Sequence, residues 1–146
     1  MAAGGPMHTP VANEQGHHVA EAMLGRVDTP LDLSWMPTAV FTMPQIAQVG
    51  MTEDRAAAAG IGAHVCRGGF SGIGAAIISD DRDGLIKLVA ADNDGRVLGC
   101  QIAARDASDL IYPYALAVHL KATAEDVKTT VAIHPAYTQA IEWGAW

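Results

Sequence analysis

Apolar positions recur at helical spacing near the start of the chain and then give way to short β-type runs. Val11, Ala12, Val19, Met23 and Leu24, with Gln15 between them, follow the three-to-four-residue rule and predict a helix over 10–24. Thr9 is the expected N-cap, Pro10 fits the first helical position, and Gly25 fits the position just past the end. Residues 26–37 hold two prolines and no period, which predicts a connector and marks the one plausible domain boundary.

Beyond the connector, β-branched and aromatic residues predict a strand over 38–42, ended by Pro44 and resumed over 48–50. Thr52, with Glu53 and Asp54 in the first turn, predicts a short capped helix that Gly60 stops. Residues 61–67 and 75–79 read as strands joined by the glycine-rich 68–74. The clearest element is a hairpin, with apolar runs over 85–90 and 97–102 flanking Asp94-Gly95. Ala107, Leu110, Ile111, Tyr114, Ala115 and Val118 then share one face of a continuous helix that Asp106 or Ser108 can cap. Thr123 starts a short helix with Glu125 and Asp126 behind it, and a last helix follows Pro135 towards Trp146. Hairpin connections followed by helices predict an α+β fold.

Charge and composition narrow the function. The chain has 146 residues, half of them apolar, and a formal charge of −7. That balance argues against a nucleic-acid or anionic-membrane surface, and no apolar run approaches the roughly 18 residues of a membrane span. Residues 1–5 lack the basic start and apolar centre of a secretory signal, so a cytoplasmic protein with two free thiols, Cys66 and Cys100, is expected.

Most candidate sites read as ordinary structure. Gly69-Phe70-Ser71-Gly72-Ile73-Gly74 lacks the spacing of a dinucleotide or phosphate loop and reads as a flexible inter-strand loop. His8, His17 and His18 do not share a chelating helical face, so no metal site is expected. Cys66 and Cys100 read as small apolar fillers. His134-Pro135 differs, because a positioned imidazole exchanges protons near neutral pH. Glu142, two helical turns on, is not an obvious orienting partner, whereas Gln139 can hydrogen-bond the ring without adding charge.

The order of these features resembles the C-terminal dimerisation domain of the pyridine nucleotide–disulfide oxidoreductases, the family of dihydrolipoamide dehydrogenase, glutathione reductase and mercuric reductase. The stretches that carry the likeness begin with residues 37–53, P-T-A-V-F-T-M-P-Q-I-A-Q-V-G-M-T-E, and Gly84-Leu85-Ile86-Lys87-Leu88-Val89. Gly95-Arg96-Val97-Leu98-Gly99, Ala115-Leu116-Ala117-Val118, Ala124-Glu125-Asp126 and Thr130-Val131-Ala132-Ile133-His134-Pro135 continue them. Thr9-Pro10-Val11-Ala12 followed by Gln15-Gly16 resembles the helix that closes the family's FAD-binding domain, whose start approaches the flavin ring. The wording of 131–135 leans towards glutathione reductase-like members, and that of 39–42 towards mercuric reductase-like ones.

The resemblance implies an antiparallel sheet with helices packed on one side, plus a helix left over from an FAD-binding domain. It divides the chain into that helix (1–25), a connector (26–37) and the dimerisation domain (38–146). It implies a homodimer of an FAD- and NAD(P)H-dependent disulfide, thiol or metal-ion oxidoreductase. His134 would reach into the partner subunit's active site as acid–base for redox thiols, held by Pro135. The family's orienting Glu falls at Gln139 and its usual Thr at Ala136; both are departures. Thr9 and Pro10 would lie near the flavin in the complete enzyme. The chain carries no dinucleotide fingerprint and no closely spaced redox Cys pair, so by itself it is expected to bind no cofactor and to be catalytically incomplete. It reads as a fragment that lacks its FAD and NAD(P) domains, or as a stand-alone, non-catalytic assembly or ligand-binding descendant. The contact surface expected for the dimer is the 110–118 helix face with Ile141, Trp143 and Trp146, since aromatics are enriched in interface cores.

Overall fold

The computed structural model describes residues 7–143, with Trp143 described by its backbone alone. The predicted features at 1–5 and at Trp146 lie outside the described residues. Twelve elements follow in order: α1 (Thr9–Met23), β1 (Thr38–Val40), β2 (Gln45–Gly50), α2 (Glu53–Ala58), β3 (Ala63–Gly69), α3 (Gly74–Ile78), β4 (Gly84–Ala91), β5 (Val97–Ala104), α4 (Ala107–Leu110), α5 (Tyr112–Leu120), α6 (Ala124–Thr129) and α7 (Gln139–Trp143). The strands form one sheet in the order β1-β2-β5-β4-β3, antiparallel throughout. The α+β architecture is therefore as expected, and the predicted hairpin, β4–β5, lies at its centre.

Register decides what the sheet buries. Val49 and Leu88 both pair with Cys100, and Ala47 and Ile86 both pair with Ile102, so alternate residues of three strands face one side. That side meets Phe70, Ile73, Ala76, Leu110, Tyr114, Ala117 and Ile141 in the main core. The opposite face carries a smaller cluster in which α2 packs Ala56 against Val89 and Ala91. Cys66 and Cys100 both pair with Leu88, from opposite sides. They are thus two strand spacings apart, roughly 9–10 Å, which is beyond disulfide reach. Gly50, in the left-handed region at φ 68°, turns β2 so closely onto β5 that a Cβ there would strike the Leu98 carbonyl. Met51 can then donate its N–H to Leu98 O at 2.9 Å.

Several local expectations are corrected. His8, not Thr9, occupies the N-cap of α1, and Ala12 N–H bonds to His8 O. Proline is tolerated anywhere among the unpaired first-turn donors, so the helix can begin one residue earlier than predicted. Residues 75–79 are not a strand. Phe70, Ile73 and Ala76, three apart, are buried as a helical turn buries them, and Ser79 Oγ donates back to Ala75 O at 2.9 Å. The glycine-rich stretch is likewise no flexible loop, because β3 runs through Gly69 and Phe70 closes over the core. The helix predicted across 107–118 breaks at Ile111, because Pro113 has no N–H for the i→i−4 ladder. Neither predicted residue caps α4 with its side chain. Asp106 turns to Arg105, and Ser108 N–H is taken by Gln45 Oε1 of β2 at 3.0 Å.

The connector is tied down where Trp35 packs against His119 of α5, the rings tilted by 54° with centroids 4.4 Å apart. No helix among the described residues is long and apolar enough to cross a membrane.

Candidate functional site

The 130–137 segment leaves α6 and turns back into α7, and side chains of α7 hold it from below. Glu142 accepts the Ala132 N–H, which occupies this carboxylate away from the imidazole. Gln139 Oε1 accepts His134 Nδ1–H at 2.8 Å and is also within 3.4 Å of the Ala136 N–H. The backbone donor identifies that amide atom as the acceptor, so Nδ1 carries the ring proton. His134 Nε2 is left with its lone pair, and the ring is exposed.

A second anchor comes from α3. With Ser79 Oγ–H given to Ala75 O, Tyr137 Oη donates to Ser79 Oγ and lies 3.3 Å from Asp81 O, while Arg105 lies over its ring. At the other end of α3, Gly74 lies directly under the His134-Pro135 pair. The structure thus brings together His134, Pro135 and Gln139. Thr9 and Pro10 sit exposed at the start of α1, and no hydrogen bond joins them to this group.

Sequence reasoning missed three members of this arrangement, Gly74, Ser79 and Tyr137; Glu142, read from the sequence as no orienting partner of His134, serves the backbone of Ala132 instead. Ser79 and Tyr137 are 58 positions apart, and no local pattern links them. The one available signal was Tyr137 itself, an amphipathic ring two residues after Pro135 that needs a hydroxyl partner when half-buried.

Beside the loop runs an apolar groove of about 320 Å³, lined by Pro113, Leu116, Leu120, Val127, Val131 and Ile141 among others. Leu116, Leu120 and Tyr112 form an exposed stripe on α5, and Val131 and Ile133 continue it towards His134. Of the expected contact face, Leu110, Tyr114 and Ala115 are spent on the domain's own core, whereas Leu116 and Ile141 line the groove. The side chain of Trp143 lies outside the described residues. No group of three His, Cys, Asp or Glu residues capable of holding a metal occurs among the described residues.

Residues 36–145 match the family model described as the pyridine nucleotide-disulphide oxidoreductase dimerisation domain. The chain belongs to this family. It is 39% identical to dihydrolipoyl dehydrogenase of Halobacterium salinarum over 94% of this chain and 29% of that protein. It is 34% identical to glutathione reductase of Burkholderia cepacia, over 87% of this chain and 28% of that one. Among solved structures, LpdA of Mycobacterium tuberculosis superposes with a TM-score of 0.89 at 30% identity, over 97% of this chain and 31% of that one. The flavoprotein disulfide reductase RclA of Escherichia coli shares the fold, with a TM-score of 0.86 at 20% identity, covering 97% of this chain and 32% of that one. The dimerisation domain and the segment before it thus span under a third of each of these proteins.

Proposed function

We propose that this chain is the homodimerisation domain of an FAD- and NAD(P)H-dependent disulfide, thiol or metal-ion oxidoreductase, and that His134 is its acid–base for thiols in the partner subunit's active site. The observation that carries this reading is the bond from His134 Nδ1–H to Gln139 Oε1. It holds the ring in one tautomer and leaves Nε2 free, with no hydrogen bond to any described residue. From there Nε2 can take a proton from a thiol and return it to a thiolate. Gln139 orients the ring, although its neutral amide stabilises an imidazolium less than a carboxylate does. Pro135 restricts the backbone on which the imidazole stands.

Residues 1–25 are read as the closing helix of an FAD-binding domain and 26–37 as its connector. The start of α1 fits one edge of a flavin. Among the described residues it has no side-chain cap and no acidic residue in its first turn, so its first N–H groups suit an outside oxygen acceptor. Thr9 and Pro10 would border that edge. FAD, when bound, supplies the electron transfer. The residues present do not fit the pyrophosphate of either dinucleotide. The stretch that superficially resembles a phosphate loop is filled by Phe70 and Ile73, both buried. By itself the chain is read as incomplete as a catalyst.

The second copy is placed on the α5 groove. An exposed apolar stripe continuous with the His134 loop is the kind of surface that marks a protein interface, and a two-fold dimer would deliver both imidazoles symmetrically. Light scattering over a concentration series should give twice 15.2 kDa, and Leu116→Glu should return the monomer. A parent chain that is monomeric throughout would remove the assembly reading. In a full-length enzyme carrying this domain, His134→Ala should lower turnover roughly 10²–10⁴-fold while the dimer persists. Gln139, where the family carries a carboxylate, favours a second reading as a non-catalytic assembly or ligand-binding protein. Unchanged turnover in His134→Ala would decide for it.

A further inference from the structure

We propose that Gly74 is a positioning residue for His134: its missing side chain is the seat that lets the imidazole reach Gln139 with Nδ1–H. A Cβ built on Gly74 would stand 3.2 Å from His134 Cε1, 3.2 Å from Pro135 Cβ and 3.8 Å from His134 Nε2. The first two separations are tighter than ordinary carbon–carbon contact, and they fall on consecutive residues, so the His134-Pro135 unit would have to lift as one.

Backbone conformation does not explain the glycine. Gly74 lies outside the left-handed region that Gly25, Gly50, Gly60 and Gly95 occupy. It is the first residue of α3, and helices favour alanine over glycine. Space is what remains. The floor under that space is rigid. Phe70, Ile73 and Ala76 on either side of Gly74 are buried in the core, and the far end of α3 is pinned through Ser79 to Tyr137. The exposed imidazole is the part that yields. On its other side Gln139 is fixed in α7 with its Oε1 also facing the Ala136 N–H, so the amide cannot follow a ring that lifts. A methyl group at Gly74 would ask His134 and Pro135 to give by a few tenths of an ångström, and that displacement falls on the 2.8 Å bond.

Gly74 acts through His134 and touches no substrate. Its functional meaning rests on the acid–base reading above, but its effect on the ring does not. Nitrogen-15 NMR of the imidazole in the 146-residue chain, at a pH where the ring is neutral, reads the tautomer directly. The parent should show the Nδ1–H form as the majority. Gly74→Ala should reverse the majority to the Nε2–H form usual for free imidazole, and Gly74→Val should complete the reversal. The urea midpoint of Gly74→Ala should not fall, which separates a displaced ring from a damaged helix. Gln139→Ala should reproduce the reversal, and adding Gly74→Ala to it should change nothing further. A parent-like Nδ1–H majority in Gly74→Ala would overturn the proposal, as would a parent that lacks that majority. Failure of the acid–base reading would instead appear as unchanged turnover in His134→Ala, with the tautomer results standing.

Discussion

At the scale of single residues, Tyr114 shows how the core and the loop are joined. It is the largest fully buried side chain among the described residues, and its hydroxyl donates to Ile141 O in α7 at 3.0 Å. Burial pushes its phenol well above the usual tyrosine range, so it stays a neutral donor. The same cause raises the Cys100 thiol, which therefore acts as a packing group and not as a nucleophile. Tyr114→Phe removes the donor and leaves a buried carbonyl short of a partner, at a cost of about 1–2 kcal/mol. The check is the urea midpoint. Because α7 also carries Gln139 and Glu142, faster amide exchange at Ala132 should accompany the loss.

At the scale of elements, α6 illustrates a start signal that works locally. Thr123 Oγ1 accepts the Asp126 N–H at 3.1 Å, and Asp126 accepts the Thr123 N–H at 2.8 Å, which closes a capping box. Thr123→Ala should cost about 1 kcal/mol by urea denaturation. The Thr123 hydroxyl, which donates to Asp126 Oδ2 at 2.6 Å, and then the Thr123 N–H hold the Asp126 carboxyl below its ordinary 3.8. A lowered folded value means the contribution is complete above the unfolded value and disappears as pH falls through the folded one. The stability gap between the parent and Asp126→Ala should therefore be constant near neutrality and close below about pH 4.

Elements like this were legible in the sequence because their determinants sit within four residues. Thr52 with Glu53 and Asp94-Gly95 are further cases. The 75–79 segment was not legible, since Ala75-Ala76-Ile77-Ile78 is too short for its period to separate helix from strand. Tertiary burial of Phe70, Ile73 and Ala76 decided it. His134 and Gln139 could be named from their linear order. The parts that seat them, Gly74, Ser79 and Tyr137, belong to two segments that meet only in the folded chain.

At the scale of the whole molecule, the sheet also leaves Val40, Phe41, Met43 and Ile46 exposed at its β1–β2 end. Replacing Phe41 and Met43 with Ser together should leave the fold's urea midpoint within about 0.5 kcal/mol of the parent, as for surface positions generally. The arrangement of strands has one more outcome. The central strand, β5, and β4 beside it are neighbours in the chain and joined by the tight 92–95 turn, whereas β2 and β3 reach their places from further away. Loop closure is least costly for the hairpin, so it is the natural nucleus of folding, onto which the flanking strands condense. Hydrogen exchange should record that history in the native state. The slowest amides should fall on Leu88, Cys100 and Ile102 and the fastest on α1, and the seat of His134 should assemble late, once α3 and α7 have both docked on the finished sheet.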